Sequence, residues 1–312
     1  KNGHVLFHVP SYENYGKLSK RNRDEQIAGS RVEVAPFKKD PADFILWKPS
    51  NNEQPGWNSP WGYGRPGWHT ECSEKKKKTL GLPFDIHGGG RDLTFPHHEN
   101  EIAQSCCSSA GTSDPKSYVN YWMHNGFVTV NGEKMSKSLG NISLVKDLTE
   151  NNHGEVIRLS LLSSHYRQAL DWNDKIIHQA KKLLDKLYKV LSDLKDIKPS
   201  EINESSMGFI SPLLDDLNTP GLLANLNKMI KDFKNISDKD LPEFKSKLLL
   251  ANELMGICQE DYLDWFNHDK EGLDTNMIDA LILERLDAKK NKNFDKADSI
   301  RQQLLDMNIE IK

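Results

Sequence analysis

The feature that most constrains the fold is a change in character near residue 150. Residues 1–150 hold seven of the eleven His, five of the seven Trp and most of the Gly and Pro; residues 151–312 are rich in Leu, Lys and Asp. Gly and Pro punctuate short elements and tight turns. A Leu/Lys-rich stretch with few such breakers sustains long amphipathic helices. One architecture does not serve both halves. At about 150 residues per domain, 312 residues also make roughly two domains. The boundaries expected are therefore 1–150 and 151–312. Charge divides the same way: the first part carries 19 basic and 17 acidic residues, which leaves 23 of the 42 basic and 28 of the 45 acidic for the second.

The first part reads as strands, loops and some helix. Residues 4–9 and 31–36 alternate apolar and polar types, and residues 44–47 make a short buried strand. Residues 49–67 are a Pro/Gly/Trp loop. Residues 84–87 form a strand running into Gly88-Gly89-Gly90, and Pro96 stands where a helix starts. Residues 118–124 and 127–130 are strand-like, with an Asn131-Gly132 turn after them. Strands mixed with helices imply an α/β domain. The second part is helical: Ile176, Ala180, Leu183, Leu184, Leu187 and Leu191 share one face. Segments 213–233, 241–258, 277–285 and 291–307 continue the pattern, the last with Phe294, Ala297, Ile300 and Leu304 on one side. This is the pattern of a helical bundle.

No run approaches the ~18 apolar residues of a membrane span, and the start of the chain lacks the apolar core of a signal peptide. Four cysteines in 312 residues make no disulfide framework. A reducing compartment, the cytoplasm, is expected, with cysteine acting through thiolate or metal chemistry.

Chemistry concentrates between residues 69 and 124, where His69, His87, His97, His98 and His124 occur. His97 and Glu101 are four apart and share a helix face. With Cys72 they offer nitrogen, oxygen and sulfur donors that suit zinc; the competing reading is a surface i,i+4 pair and a small core cysteine. Gly88-Gly89-Gly90 is either a simple turn or a close-approach loop for a flat or anionic ligand, with Asp92 placed to accept from a ribose. In Lys134-Met135-Ser136-Lys137-Ser138, a lysine suits charge neutralisation on a reacting phosphate; otherwise the segment is a solvated loop. The run of lysines at 75–78 reads as a solvated face.

Taken in order, these segments resemble the class I aminoacyl-tRNA synthetases, and in particular the cysteinyl-tRNA synthetases. Residues 134–138 match the Lys-Met-Ser-Lys-Ser loop of that class. Gly-Arg-Pro-Gly-Trp-His-Thr-Glu-Cys-Ser at 64–73 and Phe-Pro-His-His-Glu-Asn-Glu-Ile-Ala-Gln at 95–104 are similar to the cysteinyl members, as are 43–48, 55–62 and 121–126. Residues 164–167, 215–220 and 294–301 resemble their helical regions, so the likeness covers nearly the whole chain.

The resemblance implies a Rossmann-type class I catalytic domain, partial here, followed by an all-α helical bundle. Residues 1–150 would hold the catalytic remainder with a connective insertion, and residues 151–312 the tRNA-binding, anticodon-side region. It implies ATP-dependent ligation of cysteine to its tRNA through cysteinyl-adenylate. One Zn²⁺ per chain would be held by Cys72, His97 and Glu101, three of the family's four protein ligands. ATP, with Mg²⁺, would be the second substrate. Trp68 and His87 would line the cysteine site, Gly90 and Asp92 would lie near the adenosine, and Lys137 with Lys134 would serve the phosphates. Cysteine, ATP and tRNA are the implied partners, with no membrane; a monomer is expected. The pattern departs where no His-x-Gly-His occurs and no cysteine precedes Cys72, so the family's N-terminal segment and its C-terminal tail are expected outside these 312 residues. Two alternatives stand beside this reading. One is a cysteine ligase acting on a small amine, as in mycothiol synthesis. The other is a non-catalytic zinc- and tRNA-binding fragment.

Overall fold

The computed structural model describes residues 3–28, 37–108, 113–136, 138–268, 275–306 and 309. The strand expected at 31–36 and Lys137 lie outside the described residues. The chain forms two units, Lys1–Leu144 with Ser164–Asp174, and Val145–Ser163 with Lys175–Lys312.

The first unit contains three small sheets. β1 (Val5–Phe7), β2 (Phe44–Pro49) and β3 (Gly64–Pro66) run antiparallel, with Phe7 opposite Phe44 and Trp47 opposite Pro66. A short helix, α1 (Arg23–Ala28), falls between β1 and β2. β3 passes through Gly67 into α2 (Trp68–Leu80). The Gly67 amide donates to the Leu46 carbonyl at 2.8 Å, and a Cβ on Gly67 would sit 1.9 Å from the Ile45 carbonyl oxygen. Only glycine lets the backbones pass this closely, and that approach seats the start of α2 against β2.

The second sheet is a βαβ unit. β4 (Phe84–Gly90) and β5 (Val119–Asn125) are parallel, Phe84 opposite Val119 and Gly90 opposite Asn125, with α3 (His97–Ser108) in the crossover. Parallel neighbours require such a crossover. The first ten residues of α3, His97 to Cys106, are all buried, polar and apolar alike. Its apolar members Ile102, Ala103 and Cys106 join Val9, Phe44, Phe84 and Tyr118 in the core of this unit. The third sheet pairs β6 (Val128–Val130) with β7 (Glu133–Lys134) and, in parallel, with β8 (Leu170–Trp172). Asn131 and Gly132 have φ of 52° and 80°, the two positive values a type I′ hairpin turn needs. Parallel strands with helical crossovers make this unit α/β.

The second unit is helical. Its elements are α4 (Val145–Asn151), α5 (Gly154–Leu162), α6 (Asp174–Asp193), α7 (Glu204–Phe209), α8 (Ser211–Leu214), α9 (Thr219–Asp232), α10 (Leu241–Met255), α11 (Tyr262–His268), α12 (Thr275–Lys290) and α13 (Phe294–Asp306). The boundary read from composition at residue 150 falls inside α4, and the chain returns to the first unit to supply β8. Ala180, Leu184 and Leu187 of α6 are buried, with Leu222 and Leu226 of α9 and Leu248 of α10 in the same core. The side chain of Glu155 is buried too, and accepts from the amides of Cys258 (2.9 Å) and Gln259 (2.7 Å) and from Tyr188 Oη (3.0 Å).

Three helix expectations are corrected. The segment 213–233 is two helices, because Asp216 and Leu217 take positive φ and Asn218 caps α9 through the Gly221 amide. The helix over 241–258 stops at Met255, where Gly256 adopts the left-handed capping conformation. Ala297, Ile300 and Leu304 of α13 are buried, but Phe294, at the helix start, is 62% exposed. None of the described helices is long and apolar enough to cross a membrane.

Candidate metal and nucleotide site

Two helix N-termini of the first unit carry the reactive side chains. α2 contributes Trp68, His69, Cys72 and Lys76, α3 contributes His97, His98 and Glu101, and β4 and β5 add His87, Trp122 and His124. Gly89 and Gly90 make room for the chain's own side chains. A Cβ on Gly89 would sit 2.8 Å from His98 Cε1, and one on Gly90 2.5 Å from Asp92 Oδ1.

Glu101 is the centre. It is fully buried, and Lys76, His97 and Tyr118 give its carboxylate four hydrogen bonds, with His87 Nε2 also 3.5 Å from Oε2. Oε1 accepts from Lys76 Nζ at 2.9 Å and from His97 Nε2 at 3.0 Å. Oε2 accepts from Lys76 Nζ at 2.8 Å and from Tyr118 Oη at 3.0 Å. Burial pushes this carboxyl upward, but the hydrogen bonds from His97 and Lys76 and the charge of Lys76 outweigh it and hold it at about 2. Since His97 donates through Nε2, its Nδ1 accepts from His69 Nδ1 at 2.8 Å. His87 stacks on Trp122, ring centroids 4.5 Å apart, and its buried Nδ1 has no hydrogen-bond partner.

Burial keeps His69, His87 and His98 neutral. It lowers His87 to about 4, with Lys76 adding to the effect, and His98 to about 3, with His87 adding. His69 falls to about 4 through burial and the nearby His97. Neutral imidazole is the metal-binding form. The Cys72 thiol is raised by burial and by Glu101, against the pull of Lys76.

Donor atoms of Cys72, His97 and Glu101 lie within 4.8 Å of one another, and so do those of His87, His98 and Glu101. Sulfur, nitrogen and oxygen converging from two helices fit zinc with a coordination position left open. The surface-pair reading of His97 and Glu101 is corrected, because both are buried between elements. Trp68, 75% exposed, lies alongside: its ring is 5.9 Å from that of His97.

The lysines at 75–78 are corrected in one position. Lys75, Lys77 and Lys78 are exposed, but Lys76 turns inward to Glu101 and also lies 2.8 Å from His87 Nε2. Its signal was available: it stands one helical turn beyond Cys72, on the same face.

Asp92 lines a cavity of about 680 Å³ with Lys20, Arg21, Arg91, Arg167 and His124. Four cationic side chains beside one carboxylate suit a polyphosphate bearing a ribose. Sequence reasoning missed Lys20, Arg21 and Arg91 here. Phe127 also lines this cavity, and Lys134 Nζ lies 5.9 Å from the centre of its ring. Beyond Lys134 the loop is held by Asn141, whose Oδ1 accepts from the Ser136 amide at 2.9 Å. Asp43, Arg65, Trp68 and His69 line a second hollow of about 320 Å³.

Residues 1–182 match the family described as tRNA synthetases class I (C) catalytic domain. The chain is 50% identical over 313 aligned residues to a cysteine–tRNA ligase of Parvibaculum lavamentivorans, covering 99% of this chain and 66% of that protein. It is 49% identical over 308 to a cysteine–tRNA ligase of Xanthomonas campestris pv. campestris, covering 98% and 66%. It thus spans 66% of the length of these relatives. Among solved structures it is similar to a methionyl-tRNA synthetase of Mycobacterium tuberculosis bound by methionyl-adenylate. That likeness has a TM-score of 0.46 and 16% identity, and covers 79% of this chain and 57% of that one.

Proposed function

The chain belongs to the family of class I (C) tRNA synthetase catalytic domains, and from that premise we propose that it is the greater part of an enzyme that joins cysteine to its tRNA. The observation that carries the reading is the cluster of Cys72, His97 and Glu101 around the fully buried Glu101 carboxylate. Size alone separates cysteine poorly from serine, which is nearly isosteric. Zinc held by these three residues would prefer a soft thiolate to a hydroxyl. Trp68 and His87 would flank that thiolate, the exposed Trp68 on the solvent side and the buried His87 on the inner side.

In the first step the cysteine carboxylate attacks the α-phosphorus of ATP, forming cysteinyl-adenylate and releasing pyrophosphate. Asp92, which lines the cationic cavity, would accept from the ribose. Lys20, Arg21, Arg91 and Arg167 offset the phosphate charge in their shared cavity. Lys134 and Lys137 neutralise the charge that develops as the bond to pyrophosphate breaks, a charge that Mg²⁺ accompanying ATP would help to offset. In the second step a hydroxyl of the tRNA's terminal adenosine attacks the carbonyl, and AMP leaves. The helical unit, residues 151–312 in the main, is assigned to the tRNA. A monomer with one zinc, working in the cytoplasm, completes the reading.

The test is exchange of labelled pyrophosphate into ATP by the protein that carries this chain, with cysteine or serine added, followed by charging of tRNA. Cysteine-dependent exchange and a charged tRNA are expected. Cysteine-dependent product on a small amine without tRNA would transfer the reading to the amine ligase. Binding of tRNA with no exchange would make the chain a non-catalytic module.

A further inference from the structure

The four donor contacts on Glu101 use all the lone-pair sites a carboxylate has, two of them through Lys76 at 2.9 and 2.8 Å. The third contact of that ammonium is His87 Nε2 at 2.8 Å, so its three donors are spent as well. Zinc binds a carboxylate oxygen at about 2.0–2.2 Å. A metal ion on Glu101 must therefore displace a donor that is already there.

Of the three donor side chains, Tyr118 is fully buried and His97 is itself in the ligand set. Lys76 differs. It is 24% exposed, on a helix whose Lys75 and Lys77 already face solvent, and its four-carbon stem is flexible. It also carries the one charge that opposes a divalent cation at contact distance. Building on the metal reading above, we propose that Lys76 is an internal cation that holds the metal site closed, and that metal uptake requires its ammonium to swing out to solvent. Without metal, Lys76 supplies the positive charge that a buried carboxylate needs. With metal, the two cations compete for one carboxylate, and apparent metal affinity falls by the fraction of time the lysine is withdrawn.

The experiment measures the zinc dissociation constant of the whole chain against a chromophoric chelator, for the unaltered protein, K76Q and K76S. Both variants are expected to bind zinc more tightly by about 10-fold or more, the fold-change being the reciprocal of the fraction of time Lys76 is withdrawn. Equal or weaker affinity in both variants, with one zinc still bound by the unaltered protein, overturns the proposal and leaves the metal reading standing. No zinc bound by any of the three overturns the metal reading, and the proposal with it. Loss of Lys76 leaves Glu101 without a cation in the metal-free protein, so a second measurement uses the unaltered chain. Acylation of Lys76 by a water-soluble activated ester, followed by mass spectrometry with Lys75 as internal reference, is expected to rise several-fold on adding zinc. An unchanged ratio overturns the proposal.

Discussion

Replacing Glu101 and Lys76 singly and together tests whether their contact exists in the metal-free protein and what it contributes. The two partners are unequal, since Glu101 is 0% exposed and Lys76 24%. In E101Q the freed ammonium reaches water by rotating its stem. The loss is then two charge-assisted hydrogen bonds, offset by rehydration, or about 1–2 kcal/mol. In K76Q the carboxylate stays buried, with only His97 and Tyr118 donating, and a stranded buried charge costs about 3–5 kcal/mol. Relief of part of that penalty by a glutamine amide brings the expectation to about 2–4 kcal/mol. The double variant K76Q/E101Q strands no charge and should cost less than the sum of the singles, with a coupling of about 1–3 kcal/mol. Urea unfolding in the presence of a chelator reads these values. Tryptophan fluorescence reports chiefly the first unit, because six of the seven tryptophans, all but Trp265, lie in it. A coupling below about 0.5 kcal/mol, or an E101Q cost exceeding that of K76Q, would refute the contact and the asymmetry drawn from burial.

Four further outcomes are expected. Cys72→Ala should lower zinc content below one per chain and raise the KM for cysteine; unchanged zinc stoichiometry removes Cys72 from the ligand set. Lys137→Ala should lower kcat for pyrophosphate exchange by about 10²-fold or more, as a lost transition-state charge does, whereas an effect confined to tRNA affinity counts against that role. Glu155→Gln should destabilise the helical unit by about 1–3 kcal/mol, with faster amide exchange at Cys258 and Gln259, the two amides that the carboxylate accepts; unchanged exchange there contradicts it. Gly67→Ala drives a Cβ onto the Ile45 carbonyl and should cost about 1–3 kcal/mol or more, read as a shifted urea midpoint of the tryptophan signal.

What the sequence made legible was what local chemistry decides. The face of α6 repeats Leu at helical spacing; Ala180, Leu184 and Leu187 of it are buried, Leu183 and Leu191 pack half-buried beside them, and Ile176 stays half-exposed. The Asn131-Gly132 turn needs two positive φ values and gets them from the two residue types that tolerate them best. The break between α8 and α9 was legible only in part. Asn218 and Pro220 announce a helix start, but the leucines on either side continue the apolar spacing and hide it. Helix α3 shows the opposite difficulty. Packed on all sides, it has no polar face to write a period of 3.6 into its sequence, so only Pro96 and its neighbours marked it.

The site divides along the same line. Cys72, His97 and Glu101 were readable because their residue types are rare together and two of them share a helix face. The cationic cavity was not, because Lys20, Arg21, Arg91 and Arg167 come from three separate stretches of chain and no spacing joins them. Lys76 is the most instructive case. Four consecutive lysines have one composition and, on a helix, four different directions about 100° apart. Composition assigns all four to solvent. Helix geometry sends the second of them along the face of Cys72, where a buried carboxylate with unsatisfied lone pairs is the strongest acceptor within reach. The same solvated stretch therefore contains three lysines that the fold leaves in water and one that it recruits. What separates them is the position of Glu101, 25 residues further along the chain.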